Sequence, residues 1–211
     1  MADSIDKTAL YDGWPDLPPL VRRAVALASR MGFTHSCIPE QGELLRVLAR
    51  GREGGRIGET GTGCGVGLAW MTGAVGPGTS LVSVERDPTR AAACRELFRD
   101  CPNVMVLEAD WRELIAWGPF DLLVLDGGGA GKQAEAAFAD PDVLLTPAGT
   151  VVLDDMHPPF DGRLGSGTAG SGNGRDLERC RRYWFGHPGL LATEIRLHPQ
   201  MSTIVATRRG P

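Results

Sequence analysis

The chain has 211 residues, 42% hydrophobic and 23% charged, with 22 Lys and Arg against 26 Asp and Glu for a formal net charge of −4. That length suits one domain, or one domain with a small helical appendage, and is enough to bury a core without staples. The composition excludes wholesale disorder, no apolar run reaches the ~18 residues of a membrane span, and the acidic balance argues against a non-specific nucleic-acid binder.

The opening MADSIDKTALYDGWPDLPPL has neither a basic start nor an apolar stretch, so it does not read as a secretory signal and a cytoplasmic address is expected. The five cysteines (Cys37, Cys64, Cys94, Cys101 and Cys180) are odd in number and scattered. They read as reduced thiols rather than a disulfide or zinc framework. Of the 22 basic residues only Lys7 and Lys132 are lysines, and the 29 glycines are about twice the usual ~7%.

Residues 1–50 read as a helical cap on a domain spanning 51–211. One helix opens at Pro19 or Leu20 and runs to about Met31, since proline suits the first helical position. A second follows Ile38-Pro39, carries Leu44, Leu45, Val47 and Leu48, and stops at Gly51. From Arg56 short apolar runs alternate with helix-length segments. Strands are expected at 56–60, 81–84, 104–107, 122–125 and 150–153, with helices at 66–74, 89–99, 111–117 and 130–140 following the first four. Near-continuous apolar strands bounded by helices describe a doubly wound, mostly parallel α/β sheet covered on both faces. Runs 191–198 and 202–208 are separated only by Pro199-Gln200-Met201, too short for a crossover, so an antiparallel C-terminal hairpin is expected. The glycine-rich stretch 158–175 reads either as a surface insertion or as a lid, since it leaves the end of the fifth strand.

Gly61-Thr62-Gly63-Cys64-Gly65-Val66-Gly67 lies between the first strand and its helix, where glycines allow a tight turn and close approach of a ligand to the backbone. No register of this loop supplies G-x-G-x-x-G, and no Gly-Lys-Ser/Thr follows, so a nicotinamide dinucleotide or a triphosphate is poorly served. Acids close the next four strands: Glu85, Asp110, Asp126 and Asp154-Asp155. They face the crevice where open α/β sheets bind ligands, and Glu85 lies about 20 residues beyond the glycines, where an acid can accept a ribose's hydroxyls. Three carboxylates converging at strand ends raise one another's pKa unless a cation sits among them. Oxygen ligands without cysteine would suit a hard ion such as Mg²⁺; hydrogen bonding to backbone is the alternative use of Asp154 and Asp155.

In that order IGETGTGCGVG, VSVERD, LEADW, FDLLVLD and PAGTVVLDD resemble the class I S-adenosylmethionine-dependent methyltransferases, and within them the catechol O-methyltransferase-like group. The resemblance covers roughly residues 36–209, with CIPEQGELL similar to the segment that closes over the cofactor. It implies a Rossmann-like fold and S-adenosylmethionine as cofactor. Glu59, Gly61 and Gly63, with Thr62 and Gly67 beside them, would hold the methionine end; Glu85, next to Arg86, the ribose; Asp110 and Trp111 the adenine; Asp126 would border the cofactor. It also implies a divalent ion on Asp126, Asp154 and Asp155, although the family has Asn at the last position. The family's lysine base falls three residues past the first metal-binding Asp, which here is Gly129, so the candidate becomes Lys132. His157 is a further candidate ligand or base. The acceptor expected is a small hydroxylated aromatic molecule, and the assembly a homodimer. A tRNA acceptor held by Arg175, Arg179, Arg181 and Arg182, or a non-catalytic nucleoside-binding relative, are the alternatives. Tyr183-Trp184-Phe185 reads as core or dimer contact.

Overall fold

The computed structural model describes residues 5–156 and 174–210; His157 and most of the glycine-rich stretch lie outside the described residues. Two helices, α1 (Pro19–Arg30) and α2 (Pro39–Arg50), each open on a proline and precede the sheet. Then come β1 (Arg56–Thr60), α3 (Val66–Thr72), β2 (Ser80–Glu85), α4 (Pro88–Leu97), β3 (Val104–Glu108), a 3-10 helix (Trp111–Trp117) and β4 (Phe120–Leu125). A short α5 (Pro141–Leu144), β5 (Leu145–Met156), α6 (Gly174–Gly186), β6 (Leu190–His198) and β7 (Met201–Arg208) complete the described chain. The seven strands form one sheet in the order β3-β2-β1-β4-β5-β7-β6. β1 to β5 pair parallel, whereas β7 inserts antiparallel between β5 and β6; the two residues Pro199 and Gln200 between β6 and β7 allow only an antiparallel pair.

Alternate strand residues serve opposite faces. Leu122 and Val124 of β4 join Ile57, Leu81 and the inward faces of α1 to α4 in one apolar cluster. Leu123 and Leu125 join Val151, Leu153 and the Leu177, Cys180, Trp184 stripe of α6 in the other. Tyr11, Val21, Ala28 and Leu45 belong to the first cluster, so the N-terminal helices pack directly on the sheet's helices. Trp184 is core, whereas Phe185 stays exposed.

One expected helix is absent. Residues 130–140 run irregularly through a single bridge between Ala130 and Phe138. Gly129 and Gly131 take φ of +83° and +75° there, which a right-handed helix forbids. The carbonyl groups a helix would use are taken by α6 instead. Ala130 O accepts from Trp184 Nε1 at 3.0 Å and from Cys180 Sγ at 3.1 Å.

Candidate active site

The strand order reverses around β1, which has β2 on one side and β4 on the other. Open α/β sheets leave a ligand crevice at such a point. Here it is a cleft whose walls include Phe33, His35, Glu59, Gly63, Asp126 and Asp154. Gly61, also on the wall, takes φ of +82° after β1, and a Cβ on it would stand 2.4 Å from Gly127 N. The loops after β1 and β4 therefore touch backbone to backbone, and only glycine at both positions permits it.

Glu59 points from β1 into this cleft and is buried. Its Oε2 accepts from Ser83 Oγ at 2.5 Å, and Ser83 in turn is 2.6 Å from Thr62 Oγ1. Its Oε1 lies toward Gly67, where a Cβ would come within 2.9 Å. Burial raises the Glu59 carboxyl to about 8; the Ser83 bond opposes the rise, and repulsion from Asp126, Glu85 and Asp154 reinforces it. Glu85 is also buried and fixed at both oxygens: Oε2 accepts from Gly63 N, and Oε1 from Asp87 N and Arg90 Nη2, each at 2.8 Å. Arg86, next to it, is exposed. Asp110 caps the 3-10 helix by accepting from Arg112 N at 3.1 Å. Trp111 lies flat enough on the loop after β4 that a Cβ on Gly128 would be 2.4 Å from its ring.

The strand-end acids meet both lysines of the chain. Lys7 Nζ donates to Asp155 Oδ1 and Oδ2 at 2.7 and 2.6 Å. Lys132 Nζ donates to the Asp154 carbonyl at 2.9 Å and stands 3.7 Å from Asp126 Oδ1. Asp154 Oδ1 accepts from Asp155 N at 2.7 Å. Burial raises Asp154 to about 8, reinforced by Asp155 and Asp126 and opposed by the two lysines. Burial also raises Asp126, against the pull of Lys132. Burial pulls the Lys7 ammonium down, yet Asp155, Asp154 and Asp126 together hold it above the ordinary range. The three carboxylates expected as a metal cage do not form one: no such cluster exists among the described residues, and Asp155 chelates an ammonium. Both oxygens of Asp155 are held by Lys7, and Asp154 Oδ1 by the Asp155 N–H, so this donor set does not fit a divalent ion as it stands.

A methyltransferase domain model matches residues 59–156, from Glu59 to the end of β5. A catechol O-methyltransferase of Mycobacterium tuberculosis is 30% identical over 166 residues, covering 74% of this chain and 72% of that one. The chain belongs to the S-adenosylmethionine-dependent methyltransferases of the catechol O-methyltransferase-like group. Two solved structures share the fold: the O-methyltransferase from Bacillus cereus in complex with S-adenosylhomocysteine (TM-score 0.73, 17% identity, 97% and 96% of the chains), and cofactor-bound Rv0187 from MTB (TM-score 0.75, 21% identity, 100% of both).

In this methyltransferase Glu59, Gly61, Thr62, Gly63, Gly67, Asp126 and Asp154 of the residues named from sequence line the cleft, whereas Glu85, Arg86, Asp110, Trp111, Lys132 and Asp155 are not on its wall. Lys132 is three positions late for the family's lysine, yet it reaches the acids because the chain loops through Gly127–Gly131. That loop is clamped from α6: Arg179 Nη2 donates to the carbonyls of Gly131, Gln133 and Ala136 at 3.1, 2.7 and 3.1 Å, and its guanidinium lies 4.8 Å from the Phe138 ring centre. Arg181 pairs with Glu194 at 2.8 Å. Two of the four arginines considered as a phosphate patch, Arg179 and Arg181, are thus internal ties. His157 lies outside the described residues. Sequence reasoning missed Phe33 and His35 on the cleft wall, and it missed Lys7. The scarcity of lysine was the one signal that could have marked it.

Proposed function

We propose that this methyltransferase moves a methyl group from S-adenosylmethionine to a hydroxyl of a small hydroxylated aromatic molecule. The observation that carries the proposal is the lysine–carboxylate cluster beside the glycine loop. When bound, the cofactor supplies a sulfonium methyl that the acceptor oxygen displaces in line, the C–O bond forming as the C–S bond breaks and its electron pair stays on sulfur. Glu59, with its Oε1 turned toward the loop, would take the methionine ammonium, with Gly61, Thr62, Gly63 and Gly67 along that end. Glu85 would take the ribose hydroxyls with the accepting capacity its existing bonds leave, with Arg86 at its side, and Asp110 with Trp111 would border the adenine. Asp126 would receive the acceptor's proton, with Lys132 beside it at 3.7 Å. Holding the two reacting centres in line can contribute ~7–11 kcal/mol to lowering the barrier.

The internal ties of Arg179 and Arg181 support a small acceptor over RNA, since they leave less free positive charge for phosphates. The same proposal has the enzyme working as a homodimer in the cytoplasm, where five unpaired cysteines stay reduced. Calorimetric titration of S-adenosylhomocysteine into the protein, followed by catechol as a model acceptor, tests it. Micromolar binding and methylated catechol are expected, and no binding would overturn the reading.

A further inference from the structure

Methyl transfer to oxygen needs positive charge beside the acceptor, to ease loss of the hydroxyl proton and to hold the oxygen's developing charge. A divalent ion is one source of it, acting as a Lewis acid. Resting on the function proposed above, the geometry here points to a different source. We propose that the Lys7 ammonium occupies the cation position of this site, so that the site takes no divalent ion while Lys7 is seated, and that Lys7 is the cationic group facing the acceptor oxygen.

Four observations support this. The ammonium is chelated, lying 2.7 and 2.6 Å from the two oxygens of Asp155. A metal ion entering the cluster would have to break that pair. The lysine is 7% exposed, and burying an unpaired ammonium is prohibitive; its seat exists because the acids are there. The segment that carries it is docked on the protein: Lys7 N donates to Thr34 O at 3.0 Å, Thr8 Oγ1 to Phe33 O at 2.6 Å, and Trp70 Nε1 to the buried Tyr11 hydroxyl at 3.1 Å. Asp155 itself sits at φ +53°, a conformation unfavourable for a non-glycine residue that persists because surrounding contacts hold it. An ammonium has three donors. Two go to Asp155, which leaves one for an acceptor oxygen. Lys132, bonded to the Asp154 carbonyl, supplies the second cation of the cluster.

The test titrates Mn²⁺ alone into the full chain, with and without S-adenosylhomocysteine, and reads the free ion by electron paramagnetic resonance. It compares the wild type with Lys7→Met, which keeps the stem and removes the charge, and with Lys7→Met/Asp155→Asn. The wild type is expected to bind no Mn²⁺ below millimolar concentrations. Lys7→Met should bind one ion at least tenfold more tightly than the wild type, and the double variant should lose that gain. Catechol methylation by the wild type should persist in excess chelator. Micromolar Mn²⁺ binding by the wild type, or no gain in a folded Lys7→Met, would overturn the inference; should that variant fail to fold, the wild-type titration decides alone. Absence of S-adenosylhomocysteine binding would instead sink the methyltransferase mechanism, so the two failures are distinguishable.

Discussion

Replacing Glu59 with glutamine is expected to stabilise the ligand-free protein while weakening its hold on the cofactor. Burial raises this carboxyl from 4.5 to about 8. An acid whose folded pKa lies above its unfolded value favours folding only while protonated, so its relative contribution is lost as pH rises from the unfolded value through the folded one. From pH 4.5 to about 7 the loss is roughly 2.5 units at ~1.4 kcal/mol each, or ~3 kcal/mol. Glutamine carries no such burden and can still accept from Ser83 Oγ, but its amide N–H groups need partners, which costs ~1 kcal/mol. The net gain is ~2 kcal/mol, or about 4–8 °C in Tm for a chain of this size. Calorimetric melts of both proteins should show little difference near pH 5 and a gap that widens toward pH 8 and then levels. S-adenosylhomocysteine affinity should fall about 10- to 100-fold, the value of a charge-assisted bond to its ammonium. A variant that melts below the wild type near pH 8, or binds the ligand as well as the wild type, would refute the reasoning.

Three further outcomes follow from the same geometry. Because Glu59 is mostly protonated in the empty cleft near pH 7, binding S-adenosylhomocysteine should release close to one proton, read as a dependence of the binding enthalpy on buffer ionisation enthalpy; the release should vanish near pH 9 and in Glu59→Gln. Arg179→Met removes the donor shared by three carbonyls and the contact with Phe138, loosening the Lys132 loop by about 2–3 kcal/mol. Turnover of catechol should fall ~10- to 100-fold with ligand affinity unchanged, and an equal loss of affinity would show that the clamp is not local. Gly127→Ala places a Cβ 2.5 Å from Gly61 Cα, where no flexible side chain can yield. It should cost ~3 kcal/mol in a melt and abolish ligand binding, whereas wild-type behaviour in both would contradict the backbone contact.

The first five strands were legible because each couples an apolar run to an acid at or near its end, and α1 and α2 because a proline marks their first turn. What failed to read was long-range. Residues 130–140 are rich in alanine and carry helix-forming side chains, yet Arg179, Cys180 and Trp184, more than forty residues away, take their carbonyls. The same Arg179 looked like surface charge in α6 because nothing local shows what it binds. Counting from Asp126 put the lysine in doubt, since spacing along a chain misleads wherever glycines at positive φ fold the segment back. Lys7 and Asp155 are 148 positions apart, and no pattern of period two or 3.6 joins them.

The distribution of lysine carries the last step. Every other positive charge in the chain is an arginine, whose planar fork spreads charge over three nitrogens and suits ties such as Arg181 to Glu194 or Arg179 to a row of carbonyls. Inside the acid cluster the demand is different: a compact point charge must sit between the two oxygens of one carboxylate and still present a donor to a ligand. Arginine's fork would pair bidentately with Asp155 and spread its remaining donors in one plane, whereas an ammonium at 2.6 Å from oxygen is a compact point charge. On that argument Lys7→Arg should fold and keep the ion pair yet lose most of its catechol turnover, with KM for the acceptor raised and S-adenosylhomocysteine affinity unchanged. Full activity in Lys7→Arg would mean that positive charge alone is sufficient and that the ammonium's shape has no part in the reaction.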